Sequence, residues 1–194
     1  MQALTATPGR AAAGAEVRER AAEDEAVFDA LYRAQGARIY GYLRYRLRDD
    51  ALAEDLTAEA FVRLWTRRDR FRAPDDAIPW LFTVARNLAL DQLRRRRRGV
   101  PLETVLADRH PAATSPEEGV LLSERLATLD RCLGDLGERE REVLGLRFVA
   151  GLRHGEIAAV IGTSEGNVAK IVHRTLRALR GRLTAEGDRD DRSV

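Results

Sequence analysis

The segment from Glu156 to Arg174 admits few folds. Two helical patterns flank Gly162, where the chain must turn with positive φ, a conformation glycine adopts without steric cost. Ala158 is small where two helices would cross closely. Thr163 or Ser164 can cap the second helix, because their hydroxyls satisfy free backbone N–H groups at its start. On that helix Val168, Ile171, Val172, Leu176 and Leu179 recur at helical spacing in one apolar stripe. The opposite face carries Glu165, Asn167, Lys170, His173, Arg174 and Arg177. This is the pattern of a helix-turn-helix, whose second helix can keep its apolar side on its own domain and lay its polar side in a DNA major groove. Two short helices of any bundle share that spacing, so the rest of the chain weighs between the two readings.

At 194 residues the chain can form one large domain or two small ones. A charged fraction of 33% beside 44% hydrophobic residues suits helical bundles with polar faces. The formal charge is only +2, so the distribution of charge says more than its sum: Arg94 to Arg98 form a basic block. Cys132 is the single cysteine, which excludes an intramolecular disulfide and a cysteine-rich metal site. His110, His154 and His173 are scattered, so no metal or other cofactor is expected. No apolar run approaches the roughly 20 residues that span a bilayer, and no signal-peptide segment opens the chain. The expectation is a soluble cytoplasmic protein.

Residues 1–22 are rich in Ala, Gly and Thr without a packing stripe and read as a disordered extension, with Ala-rich parts able to turn helical transiently. From 23 to 98 the pattern is helical. Phe28, Leu31, Tyr32, Ile39, Tyr40 and Leu43 share one face of a first helix, which breaks at Asp49-Asp50. Leu52, Leu56, Ala60, Phe61, Leu64 and Trp65 line a second. A loop from Phe71 to Asp76 closes with an aspartate fit to cap a third, which buries Trp80, Leu81, Val84, Leu88 and Leu90 or Leu93 and runs into the arginines. Residues 99–115 contain Pro101 and Pro111 and read as a linker. Ser115-Pro116-Glu117-Glu118 is a capping box that opens a second domain, 116–184. Leu121, Leu122, Leu126, Leu129, Leu133 and Leu136 follow at helical spacing, then a helix from Glu138 to Phe148 precedes the helix-turn-helix. A polar, frayed tail of 185–194 ends the chain. Nothing alternates like a strand. The fold class is all-α: two small helical domains joined by a flexible linker.

At this level the chain resembles a known family. The first domain carries Ala53-Glu54-Asp55-Leu56-Thr57-Ala58-Glu59-Ala60-Phe61, then Trp65, Trp80-Leu81, Ala85-Arg86-Asn87 and Asp91-Gln92-Leu93-Arg94-Arg95. The second carries Leu136, Glu140-Arg141-Glu142-Val143-Leu144, Arg147-Phe148, Gly151-Leu152, Glu156-Ile157-Ala158 and His173-Arg174-Thr175-Leu176-Arg177. In this order the blocks resemble the bacterial extracytoplasmic-function sigma factors, over about residues 25–98 and 120–183. One helix-turn-helix is a weak signal; both blocks in sequence are a specific one.

The resemblance implies a sigma region 2-like domain that docks on RNA polymerase core and opens the −10 promoter element, and a region 4-like domain that reads the −35 element. It implies that the helix bearing Asp55 and Glu59 meets the clamp helices of the largest polymerase subunits; carboxylates on an exposed helix suit a basic partner, and they equally suit plain solvation. Ala58 departs from the glutamine common in the family. It further implies that Asn87 and the loop with Phe71 capture a base flipped from the non-template strand, at a stacking cost of a few kcal/mol. Phe71 fits a core position as well, and Trp65 and Trp80 fall on apolar faces. Arg86, Arg94 and Arg95 join the −10 surface, since phosphate contacts carry affinity; a solvated charge run is the ordinary alternative. On the recognition helix the −35 contacts fall to Ser164, Glu165, Asn167, Lys170, His173, Arg174 and Arg177, with the first turns near base edges and Arg174 and Arg177 on phosphates. Members of the family are often held inactive by an anti-sigma factor, which becomes a candidate partner beside core polymerase and promoter DNA. No small-molecule substrate and no catalysis are expected.

Two other classes compete. A DNA recombinase would need a serine or tyrosine nucleophile, yet no serine precedes Ser115 and the last tyrosine, Tyr45, lies in an apolar-patterned helix. An operator-binding regulator acting without core polymerase would need a ligand pocket, a phospho-acceptor domain or a dimer helix, and it leaves the basic first domain unexplained.

Overall fold

The structure is a computed structural model that describes residues 8–71, 73–98 and 127–190, with side-chain surroundings for those between 23 and 184 except Pro74 and Arg97. The proposed linker, the Ser115 capping box and Leu121, Leu122 and Leu126 lie outside the described residues. Every regular element described is helical, and no strand occurs among the described residues. The helices are α1 (Pro8–Leu47), α2 (Asp50–Trp65), α3 (Pro74–Arg97), α4 (127–134), α5 (Glu138–Leu144), α6 (His154–Ile161) and α7 (Glu165–Asp190). A 3-10 turn, Arg68–Arg70, joins α2 to α3, and a π-helical turn, Gly145–Val149, extends α5.

Two boundaries differ from the sequence reading. Helix α1 begins at Pro8, inside the stretch expected to be a disordered extension, because alanine has the highest helix propensity and proline suits a first helical position. Helix α7 likewise continues to Asp190, into the expected tail. The break after the first helix is where it was expected. Arg48 takes a left-handed φ of 53°, and extended Asp49 caps α2 by accepting from the Leu52 amide at 3.0 Å. Helix α3 starts at Pro74, before the expected aspartate. Asp76 therefore caps from within the first turn, accepting from the Ala73 amide at 3.3 Å.

Helices α1, α2 and α3 form a three-helix unit around Ile39, Leu43, Leu56, Ala60, Phe61, Leu64, Leu81 and Leu88. Fully buried Phe82 and Tyr42, absent from the stripes read in sequence, pack edge to face at 6.4 Å. A side chain of that size contributes about 1.5–3 kcal/mol by its burial. Trp65, expected in the core, is instead 36% exposed, with the Arg68 guanidinium 4.3 Å above its ring and Phe28 against its edge. It is the last residue of α2.

Helices α4 to α7 form the second unit. Cys132 and Leu136 are buried against Leu144 and Leu179, while Leu129 of the expected leucine stripe is exposed. The helix read as Glu138 to Phe148 changes to π geometry at Gly145, where the Ala150 amide bonds to the Gly145 carbonyl at 2.9 Å. That extra residue per turn leaves Phe148 outward and exposed. The two units are not separate bodies on a string: α1 meets the π turn, α3 meets α6, and one apolar cluster runs through both.

Candidate nucleic-acid interface

Helix α6 ends at Gly162, whose φ of 68° and ψ of 52° are left-handed as the turn requires. Ser164, rather than Thr163, caps α7: its Oγ accepts from the Asn167 amide at 3.3 Å. Val168, Ile171, Val172 and Leu179 are buried. Leu176 is not: it is 41% exposed, and Thr175 takes the interior position at 1%. The stripe is thus rotated by one residue in the third turn, which keeps Arg174 and Arg177 outward.

Ser164, Glu165, Asn167, Lys170, His173, Arg174 and Arg177 are all exposed on α7 or at its cap. Within this face the Asn167 amide donates to Thr163 Oγ1 at 2.9 Å, which fixes how the side chain points. Arg174 Nη2 lies 3.2 Å from Glu140 Oε1 on α5.

The first unit presents a less uniform surface. Asn87 on α3 is exposed. Its neighbour Arg86 is half-buried: Nε donates to Glu142 Oε1 at 2.7 Å, across the boundary between the units. Arg94 and Arg95 are exposed, with Arg94 near Asp91 at 3.4 Å. Arg96, in the middle of the basic block, turns inward, donating to the Leu47 carbonyl at 2.6 Å and to Asp49 Oδ2 at 2.9 Å. Part of the arginine run is therefore structural. Phe71 is half-buried against the core cluster, its ring 5.5 Å from that of Trp80, and Arg67 sits over the other ring at 5.7 Å. Asp55 is exposed on α2, and Glu59 is half-buried in an ion pair with Arg63 one turn on. The structure brings the α7 residues together on one face and places Phe71, Asn87, Arg94 and Arg95 on the separate α3 unit.

Sequence reasoning passed over the charges between the units. Arg46 is buried and paired with Glu138, and Glu142 is buried between Arg86 and Arg139. Burial works against the Arg46 charge, but the Tyr42, Glu138 and Glu142 groups around it outweigh that and raise its proton affinity. Burial also pushes the Tyr42 phenol far above its usual range. One signal was available: Arg46 follows Ile39 and Leu43 at helical spacing on the apolar stripe of α1, where a charge needs a partner. Among the described residues no helix is long and apolar enough to cross a membrane, and no three ligating side chains gather to hold a metal.

Comparison with known proteins fits this division. Residues 31–99 match the family described as Sigma-70 region 2, and residues 132–181 match Sigma-70, region 4. The ECF RNA polymerase sigma factor BldN of Streptomyces coelicolor is 36% identical over 167 residues, 84% of this chain and 63% of BldN. SigL of Mycobacterium tuberculosis, another ECF RNA polymerase sigma factor, is 32% identical over 169 residues, 86% of this chain and 94% of SigL. The chain spans 36% of the length of the probable RNA polymerase sigma factor RfaY of Xanthomonas campestris, at 33% identity. Among solved structures, the sigma factor RpoE in complex with the anti-sigma factor NepR from Bartonella quintana superposes with a TM-score of 0.57 at 25% identity, over 86% of this chain and 98% of that one. CnrH in complex with the cytosolic domain of CnrY gives 0.55 at 26%, over 84% and 88%. With both sigma regions matched in order and a relative matched over nearly its whole length, the chain belongs to the ECF RNA polymerase sigma factors.

Proposed function

We propose that this protein directs promoter-specific initiation by binding RNA polymerase core and reading two promoter elements, and that it is a specificity subunit rather than an enzyme. The observation that carries the reading is α7: six polar side chains from Glu165 to Arg177 stand exposed on one face while Val168, Ile171 and Val172 anchor the other. A helix held this way enters a major groove without rearranging. In this reading the domain 116–184 takes the −35 element through Ser164, Glu165, Asn167, Lys170, His173, Arg174 and Arg177. The domain 23–98 takes the −10 element, with Asn87 exposed toward a flipped base, Arg94 and Arg95 on phosphates and Phe71 bracing the loop. Arg86 joins that surface once it leaves Glu142. Asp55 and Glu59 on α2 meet the clamp helices of core polymerase. The protein works in the cytoplasm and needs no cofactor, and an anti-sigma factor is its candidate regulator.

Transcription in vitro tests this. Core polymerase plus this protein is expected to start at discrete sites on promoters mapped from transcripts induced by its overexpression. Tight operator binding without core polymerase, and no start sites with it, would favour a conventional helix-turn-helix regulator.

A further inference from the structure

The first turn of α7 carries no anchor of its own. Ser164, Glu165, Gly166 and Asn167 are all exposed, and the first buried side chain of the helix is Val168. Farther along, Ile171, Val172, Thr175 and Leu179 hold the helix from behind. Apolar burial is non-directional. It decides which face of α7 points inward and leaves the first turn to be placed by the chain that enters it. That chain is the end of α6 and the turn at Gly162.

The last carbonyls of a helix have no partner within it and must find one outside. In α6 the Ala158 carbonyl accepts from the Gly162 amide and from the Thr163 amide, the latter at 3.0 Å. The Ile161 carbonyl, on a buried residue at the end of α6, is taken by Arg139 of α5, whose Nη2 donates to it at 3.3 Å. A cation is well placed there, since the C-terminal end of a helix carries the negative pole. The same guanidinium donates through Nη1 to Glu142 Oε2 at 2.9 Å. Glu142 has only 4% of its side chain exposed, and its other oxygen accepts from Arg86. The carboxylate that aims Arg139 is therefore itself fixed.

We propose that Arg139 is a positioning residue for the −35 readout: by holding the last carbonyl of α6 it sets where Asn167 and the rest of the first turn of α7 stand. This role presupposes α7 as the −35 reading helix. The guanidinium is a rigid planar fork, so a fork bound to two acceptors fixes an angle that a single contact leaves free. Here the two acceptors lie on different helices, α5 and α6, and the angle passed on is that of the turn. Arg174 and Arg177 flank the buried Thr175 and are held without Arg139. Its loss acts on one end of α7: base reading from the first turn suffers, while backbone contacts from the later turns persist.

The test uses holoenzyme assembled from core polymerase and the full chain, with single-base variants of a mapped −35 element in competition. The base pair read by Asn167 is located with Asn167→Ala. At that pair Arg139→Gln is expected to lower discrimination about fivefold or more, with the slope of log affinity against log salt unchanged. Combined with Asn167→Ala it is expected to cause no further loss there, because both changes act on one contact. Circular dichroism reports the fold. If Arg139→Gln loses helicity, Arg139→Lys, which keeps the charge but not the fork, carries the same readouts. Undiminished discrimination in a folded variant would overturn the positioning role. So would an even loss across all −35 variants with a salt slope about one unit shallower, which would make Arg139 a phosphate contact. An unaltered holoenzyme that ranks all −35 variants alike, or an Asn167→Ala change that weakens all of them equally, would instead overturn base reading by α7.

Discussion

The two helices assigned to DNA reading are held in different ways. Helix α7 is fixed from behind by Val168, Ile171, Val172 and Leu179, and its polar face is spent on almost no internal contact beyond the Asn167–Thr163 bond and the Arg174–Glu140 pair. Helix α3 uses its charges as structure. Arg86 is tied to Glu142, Arg94 leans on Asp91, and Arg96 ties the end of α3 to the Asp49 cap of α2. A reader fixed by apolar packing leaves its polar groups available, whereas one fixed through its own arginines must share them. In the proposed reading, specificity in the first helix would live in its side chains, and in the second it would depend on which partner each arginine has at the time.

Four substitutions probe that contrast. Asp49→Ala has the largest expected effect, because it removes the α2 cap and a charged partner of Arg96 together. A loss of about 3 kcal/mol in unfolding free energy is expected from a urea titration; a change below about 0.5 kcal/mol would show that neither the cap nor the Arg96 pair carries structural weight. Asn167→Ala should cost about 1–3 kcal/mol of discrimination at one base pair, read by competition among −35 variants. A uniform loss across all variants would move Asn167 from base reading to backbone contact. Asn87→Ala should slow strand opening about tenfold or more, followed by permanganate reactivity, with little change in polymerase binding. Equal loss of both would take Asn87 out of the base-capturing role. Arg177→Ala is the mildest: binding weakens evenly across sequences, and the slope of log affinity against log salt falls by about one unit.

Much of the helical pattern, and the face of α7, could be read from residue order. Apolar spacing places the α2 core from Leu56 to Leu64 and the α7 anchors, and Gly162 marks the left-handed turn. Where the reading slipped, a neighbour had intervened. Leu176 and Thr175 exchange places on α7, where α5 packs against it. Trp65 emerges at the last residue of α2, with Arg68 over its ring and Phe28 of α1 at its edge, and the start of α1 extends to Pro8, where alanine's high helix propensity favours it. Tyr42 and Phe82 went unnoticed because α1 and α3 bury more than one face.

The candidate site divides along the same line. Which α7 side chains face outward follows from helical periodicity, a property of one segment alone. That Arg86 rests on Glu142, that Arg96 points inward, and that Gly145 must lack a side chain cannot be found in any single helix. Order along the chain determined the helices, the turn and the outward face of the recognition helix, since these depend on repeats of a few residues. Only the packing of helices on one another, within and between the units, decided the partners of the charges, because an ion pair is set by where a second surface arrives.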